Sequence, residues 1–177
     1  MCGWLLKDRN IDLLEFGRSN DKVFKADQLK SVFDNKNCSL NHVCTKQKGK
    51  FIYTNEQLYE AMGNAKVTIA LPRSITQPEI ACDIETLTQR YWECMFSRMV
   101  MVGHAPQELI DFIGYNPVIE LSDKISAEEQ IADVIEHIED YQVLVDKNRE
   151  TAERMGSWEM RMKWLMGELE KDYRLKK

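Results

Sequence analysis

Glu85 and Glu93 stand eight residues apart with Arg90 between them, in the run Glu85-Thr86-Leu87-Thr88-Gln89-Arg90-Tyr91-Trp92-Glu93. Ionised carboxylates accept hydrogen bonds from sugar and ribose hydroxyls, and a guanidinium grips a phosphate through paired donors. One short segment therefore carries groups able to hold a sugar, a ribose and a phosphate. At about 3.6 residues per turn, positions with this separation lie about 80° apart around a helix, so the two acids would not stack on one face. Glu85 just ahead of a helix and Glu93 inside it fits better, each acid reaching a different part of one ligand. Two solvated glutamates on a surface helix are the plain alternative, since charged side chains are mostly exposed.

The elements that would position this run follow from hydrophobic period and from turn residues. Lys66 to Leu71 is the clearest strand, partly β-branched and closed by Pro72. A loop from Pro72 to about Glu85 leads into a helix reaching Ser97. Thr86 and Gln89 have the spacing of a capping box, which places the helix start near Leu87 and Arg90 in its first turn. Such a terminus, with its free N–H groups, suits a phosphate. Met99 to Gly103 is the next apolar run, short and ended by glycine as buried parallel strands are.

Elsewhere, Ile11 to Phe16 reads as a strand and Ala26 to Phe33 as a helix. Cys38 to Cys44 reads as a second strand, Lys46 to Lys50 as a polar turn, and Asn55 as the cap of a helix ending at Gly63-Asn64. Pro106 to Phe112 suggests a helix and Pro117 to Leu121 a strand. From Ser126, which forms a capping box with Glu129, the chain turns helical; Gly156-Ser157 breaks it before a last helix from Trp158 to about Tyr173. Alternating strands and helices imply an α/β fold, a Rossmann-like, mostly parallel, doubly wound sheet with a helical C-terminal segment. The expected layout is a single domain over 1–177, with 157–177 as a terminal helix.

Hydrophobic residues make up 44% of the 177 residues and charged residues 30%, a balance that suits a soluble globular domain. A net charge of −5 argues against a general nucleic-acid binder. There is no apolar run of about 18 residues, and the start is too quickly polar for a signal peptide, so a cytoplasmic chain is expected. Five cysteines without a CxxC pair fit free thiols acting as small buried hydrophobes, and no metal site is expected. Trp158 and Trp164 are expected to pack the last helix. The basic tail from Lys171 to Lys177 reads as a solvated end, with peripheral contact to an anionic membrane surface as the alternative.

The stretch from Ile11 to Arg161 resembles the C-terminal, nucleotide-sugar-binding half of GT-B glycosyltransferases of the bacterial polysaccharide type. Four pieces carry the resemblance: Glu15-Phe16-Gly17-Arg18, the Pro72-Arg73-Ser74 loop, Glu85 to Glu93 with Cys94-Met95, and Gly156-Ser157-Trp158 with Arg161. The resemblance implies that Glu93 holds ribose hydroxyls and Glu85 the donor sugar. It implies that Arg18 faces the diphosphate, with Lys22 as a partner. Thr86-Leu87-Thr88 stand where the family often has glycines, which let backbone approach a ligand closely.

Two further residues come from position in the sequence. His104 follows Gly103 at a strand end where it would face a ligand, and Arg73 sits just past the strand ending at Leu71, within reach of a phosphate; ordinary loop and surface roles fit them equally. The donor-binding set is therefore Arg18, Lys22, Arg73, Glu85, Arg90, Glu93 and His104. No catalytic residue is assigned, and no cofactor is expected beyond a UDP- or GDP-linked sugar substrate.

By resemblance, a complete GT-B enzyme has two such domains, with the acceptor site largely on the first. At 177 residues this chain is too short for both, so the expectation is a fragment, a truncated product, or a half that needs a partner chain. A glycosyltransferase donor half, inactive without its N-terminal domain, is one hypothesis. A non-catalytic nucleotide-binding or interaction domain on the same fold is the other.

Overall fold

The computed structural model describes residues 5–17, 22–45, 54–82 and 84–175, with side chains to Lys171. Five strands form one all-parallel sheet: β1 (Ile11–Glu15), β2 (His42–Cys44), β3 (Ala65–Ala70), β4 (Val100–Gly103) and β5 (Val118–Glu120), in the order β2-β1-β3-β4-β5. This is the α/β, doubly wound, Rossmann-like architecture expected from the alternation of elements. The order reverses between β1 and β3, and in open parallel sheets ligands bind beyond the carboxyl ends of strands at such a switch point.

The helices are α1 (Ala26–Asn35), α2 (Asn55–Asn64), the short α3 (Arg73–Thr76) and α4 (Pro78–Ala81), α5 (Gln89–Phe96), α6 (Gln107–Ile113), α7 (Ala127–Glu136), α8 (Gln142–Thr151) and α9 (Trp158–Leu175). A π-helical stretch, Ala152–Gly156, joins α8 to the break before α9. The period-two side-chain pattern of the strands divides the core into two. Leu13, Val67, Ile69, Val100 and Val102 pack on one face with Leu29 and Phe33 of α1 and Ile131 and Val134 of α7. Leu14 and Met101 face the other way, against Met62 of α2, Tyr91, Trp92 and Met95 of α5, and Leu109 of α6.

Local signals set several boundaries. The cap of α2 is Thr54, one residue earlier than expected: its hydroxyl accepts the Gln57 N–H at 3.2 Å while Gln57 Oε1 accepts the Thr54 N–H, a reciprocal box that leaves Asn55 inside the helix. Ser126 Oγ accepts the Glu129 N–H at the start of α7, as its spacing implied. Gly114, at φ +82°, ends α6 in the left-handed conformation that glycine adopts without strain. The span from Pro72 to Glu85 is more ordered than a loop, since α3 and α4 form within it.

Three expectations are corrected. Trp158 and Trp164 do not pack the last helix inward: they are 69% and 66% exposed. Of the cysteines, Cys94 is buried, but Cys38 and Cys82 are exposed, so burial does not account for them all. Helix α5 begins at Gln89 with Thr88 as its cap, and no side chain bonds at that cap. The Leu87 N–H, which would lie inside a longer helix, instead donates to Glu108 Oε2 of α6 at 3.2 Å. The polar turn expected from Lys46 to Lys50 lies outside the described residues. No helix among them is long and apolar enough to cross a membrane.

Candidate functional site

The carboxyl ends of β1, β3 and β4 and the amino end of α5 bring most of the expected residues to one edge of the sheet. Glu85 lies in irregular backbone ahead of α5, and Glu93 lies within it, as helix geometry had suggested. Arg90 is the second residue of α5. Its guanidinium carbon sits 5.2 Å from the Phe16 ring centroid, against the end of β1. Gly17 makes room for it: a Cβ there would fall 1.9 Å from Arg90 Nη2, at φ +78°. Arg90 and Glu93, three apart on one helix, share a face, and neither side chain makes a hydrogen bond or ion pair among the described residues.

The other basic candidates are already engaged. Lys22 Nζ lies 3.2 Å from Glu79 Oε2 of α4, so a surface ion pair links the β1–α1 connection to the segment after β3. That Lys22 charge, with the helical backbone and nearby Arg73, holds the Glu79 carboxyl below its ordinary value, the local backbone hydrogen bond contributing most. Arg73 opens α3 and donates from Nε to Gln77 Oε1 at 3.1 Å. Arg18 lies outside the described residues. Glu15, in the same motif as Arg18, is buried and bonded to His42 Nε2 of β2 at 2.9 Å, which makes it part of the sheet's interior.

His104 is the most constrained of the set. Its backbone N–H donates to the Ala70 carbonyl at 2.9 Å, tying the ends of β3 and β4, and its own carbonyl accepts the Tyr91 hydroxyl at 2.7 Å. Burial pushes the Tyr91 phenol well above its ordinary value, so it remains a donor. The imidazole lies between two acids, with Nε2 2.9 Å from Glu85 Oε1 and Nδ1 2.8 Å from Glu120 Oε2. Partial burial pulls its pKa down, but the hydrogen bonds and charges of Glu120 and Glu85 together outweigh that and raise it. Ionised carboxylates only accept, so contact at both ring nitrogens calls for the doubly protonated imidazolium.

Glu120 was not among the candidates expected from sequence. It closes β5, and glutamate at the carboxyl end of a parallel strand was the available signal. No group of three or more His, Cys, Asp or Glu among the described residues could hold a metal ion. In the Glu85–His104–Glu120 cluster the nitrogen-to-oxygen contacts are hydrogen bonds with protons between the atoms.

Beside this edge, a groove of 1020 Å³ runs between α5, α6 and α9, lined by Leu87, Trp92, Phe112, Trp158, Trp164 and Leu165 among others. Arg161 bridges two of the three tryptophans on its walls, 5.0 Å from the Trp92 ring and 5.6 Å from that of Trp158. Gly156 packs flat on Trp92, where a Cβ would fall 2.4 Å from a ring carbon. Three of the four segments carrying the resemblance meet at α5: Phe16-Gly17 packs against Arg90, and Gly156 and Arg161 against Trp92. No family model, curated protein or solved structure matches the chain.

Proposed function

We propose that this chain is the nucleotide-sugar donor-binding domain of a glycosyltransferase that transfers a sugar to a glycan or similar acceptor. The observation that carries this reading is Arg90 and Glu93, side by side on α5 at the switch-point edge, their side chains without hydrogen-bond partners among the described residues. The Arg90 guanidinium and the N–H groups at the start of α5 would take the diphosphate. Glu93, one turn further in, would accept from the ribose hydroxyls, and Glu85, ahead of the helix, would accept from the sugar. Arg18, Lys22 and Arg73 would add positive charge around the phosphates, Lys22 after leaving Glu79. Transfer would require an acceptor-binding domain or a partner chain, and the exposed apolar walls of the α9 groove supply a surface for one.

Titrating the chain calorimetrically with UDP, GDP, UDP-glucose and GDP-mannose tests the reading. Binding of one base series is expected, with tighter binding of the sugar form. Glu93→Ala is expected to weaken binding roughly tenfold or more, the loss of hydrogen bonds to a charged acceptor. Unchanged affinity in that variant would show the ribose assignment to be wrong. Equal affinity for the diphosphate and its sugar form would favour a non-catalytic nucleotide-binding domain instead.

A further inference from the structure

We propose that Glu120 is a positioning residue, which through His104 holds Glu85 and the segment ahead of α5 in place for the ligand. The ligand half of this inference rests on the donor-site reading; the clamp itself does not.

The two acids on the imidazole are held very differently. Glu120 Oε2 faces Nδ1, and its other oxygen accepts both the Ala105 N–H and the Asn116 side-chain amide, each at 2.9 Å. Glu85 Oε1 faces Nε2, and among the described residues its other oxygen has only the Gln107 N–H at 3.4 Å. Neutral imidazole keeps one N–H, and the firmly held acid is the one it keeps bonding. The proton then stays on Nδ1, facing Glu120. Nε2 becomes a lone pair opposite a carboxylate oxygen, and Glu85 loses its main anchor.

The groups that surround the ring fit this assignment. Glu85 comes from the segment before α5, Glu120 from β5, and Tyr91 from α5 bonds the backbone carbonyl. From α6, Glu108 bonds the Leu87 N–H, so it secures the same segment by a route independent of His104. Two acids and one imidazolium carry a net negative charge, which favours the protonated ring. With the folded value raised, the clamp is complete below the ordinary histidine value of about 6.5 and is lost as pH rises through the raised one. Glu85 is then free to move in alkaline solution.

Long-range proton–nitrogen NMR on the full ¹⁵N-labelled chain reads the three imidazoles separately, with His104 assigned by its loss in His104→Gln. The His104 midpoint is expected above the ordinary value, with the Glu85 and Thr86 amides moving at the same midpoint. Glu120→Gln keeps an oxygen for the Ala105 N–H and so preserves the fold while removing the charge. Its amide N–H then donates to Nδ1, so the His104 midpoint is expected to fall, while the neutral ring carries its proton on Nε2 and the Glu85 amide no longer moves with the titration. An unmoved midpoint in that variant, or wild-type amides that stay still while His104 titrates, would overturn the proposal.

Calorimetry with UDP-glucose and GDP-mannose between about pH 6 and 9 reads the ligand half. Wild-type affinity is expected to fall roughly tenfold across the His104 midpoint, and Glu120→Gln to lose most of that fall, because its neutral imidazole still donates to Glu85. Equal affinities in both proteins at every pH would overturn the positioning role. Coupled amide and imidazole transitions without binding of either probe would support the clamp and sink the donor-site reading alone.

Discussion

Gly103→Ala is expected to be the most damaging single-methyl substitution in this chain. The backbone of Gly103 has φ +149°, where L side chains are strained. A Cβ there would lie 2.1 Å from the Ala70 carbonyl oxygen and 2.9 Å from its carbon. The obstacle is backbone, and it cannot swing aside. Ala70 pairs with Gly103 in the β3–β4 register, and its carbonyl accepts the His104 N–H. Relief therefore requires the two central strands to separate at their carboxyl ends. Backbone strain of about 1–3 kcal/mol and a similar cost for overpacking give a loss of about 3–5 kcal/mol. Against a typical total of about 5–15 kcal/mol, that removes a large part of the stability.

Urea unfolding followed by circular dichroism checks this directly. A midpoint shift worth less than about 1 kcal/mol would mean that the strand ends part at little cost. The same variant should displace His104 from Glu85 and Glu120, because the imidazole is placed by the backbone bond that the new methyl disrupts. The sheet edge and the site are one construction here. A glycine that reads in sequence as the end of a strand is also the reason that the next residue can reach two acids.

How far the sequence reveals this construction depends on the range of the interactions. Strands β3 and β4 were legible by different signals: Lys66 to Leu71 is partly β-branched and closed by Pro72, and Met99 to Gly103 is the short continuous apolar run that buried parallel strands need. The placement of Glu85 outside α5 and Glu93 within it was legible from helical period alone. The start of α5 was not, since Thr86 and Gln89 have a capping spacing but the Leu87 N–H is taken by Glu108, a residue 21 positions away. Glu120 escaped notice for the same reason. Its role appears only when parallel pairing sets Gly103 beside it and brings His104 into reach. The tryptophans of α9 misled in the opposite direction: their size suggests core, and they line an open groove instead.

The second large effect concerns Arg90, and it separates a binding role from a packing one. Arg90→Ala removes the guanidinium that the donor-site reading places on the diphosphate. Charge-assisted hydrogen bonds of about 1.5–3 kcal/mol translate into an affinity loss for UDP or GDP of roughly 10- to 100-fold. Gly17→Ala should do nearly the same without touching Arg90 itself. Its new Cβ would overlap Arg90 Nη2 at 1.9 Å, and that nitrogen is the far end of a flexible side chain, so it moves. The left-handed φ of +78° adds a conformational cost of about 1–2 kcal/mol to folding, which most domains survive. Because both variants remove one interaction, the double variant is expected to bind little worse than Arg90→Ala alone, giving a large coupling in the double-mutant cycle. Additive losses would mean that Gly17 and Arg90 act separately. Wild-type affinity in a folded Arg90→Ala protein would remove the guanidinium from the phosphate site altogether. Neither result could be explained by packing, since Phe16, the ring beneath the guanidinium, is unchanged in every variant.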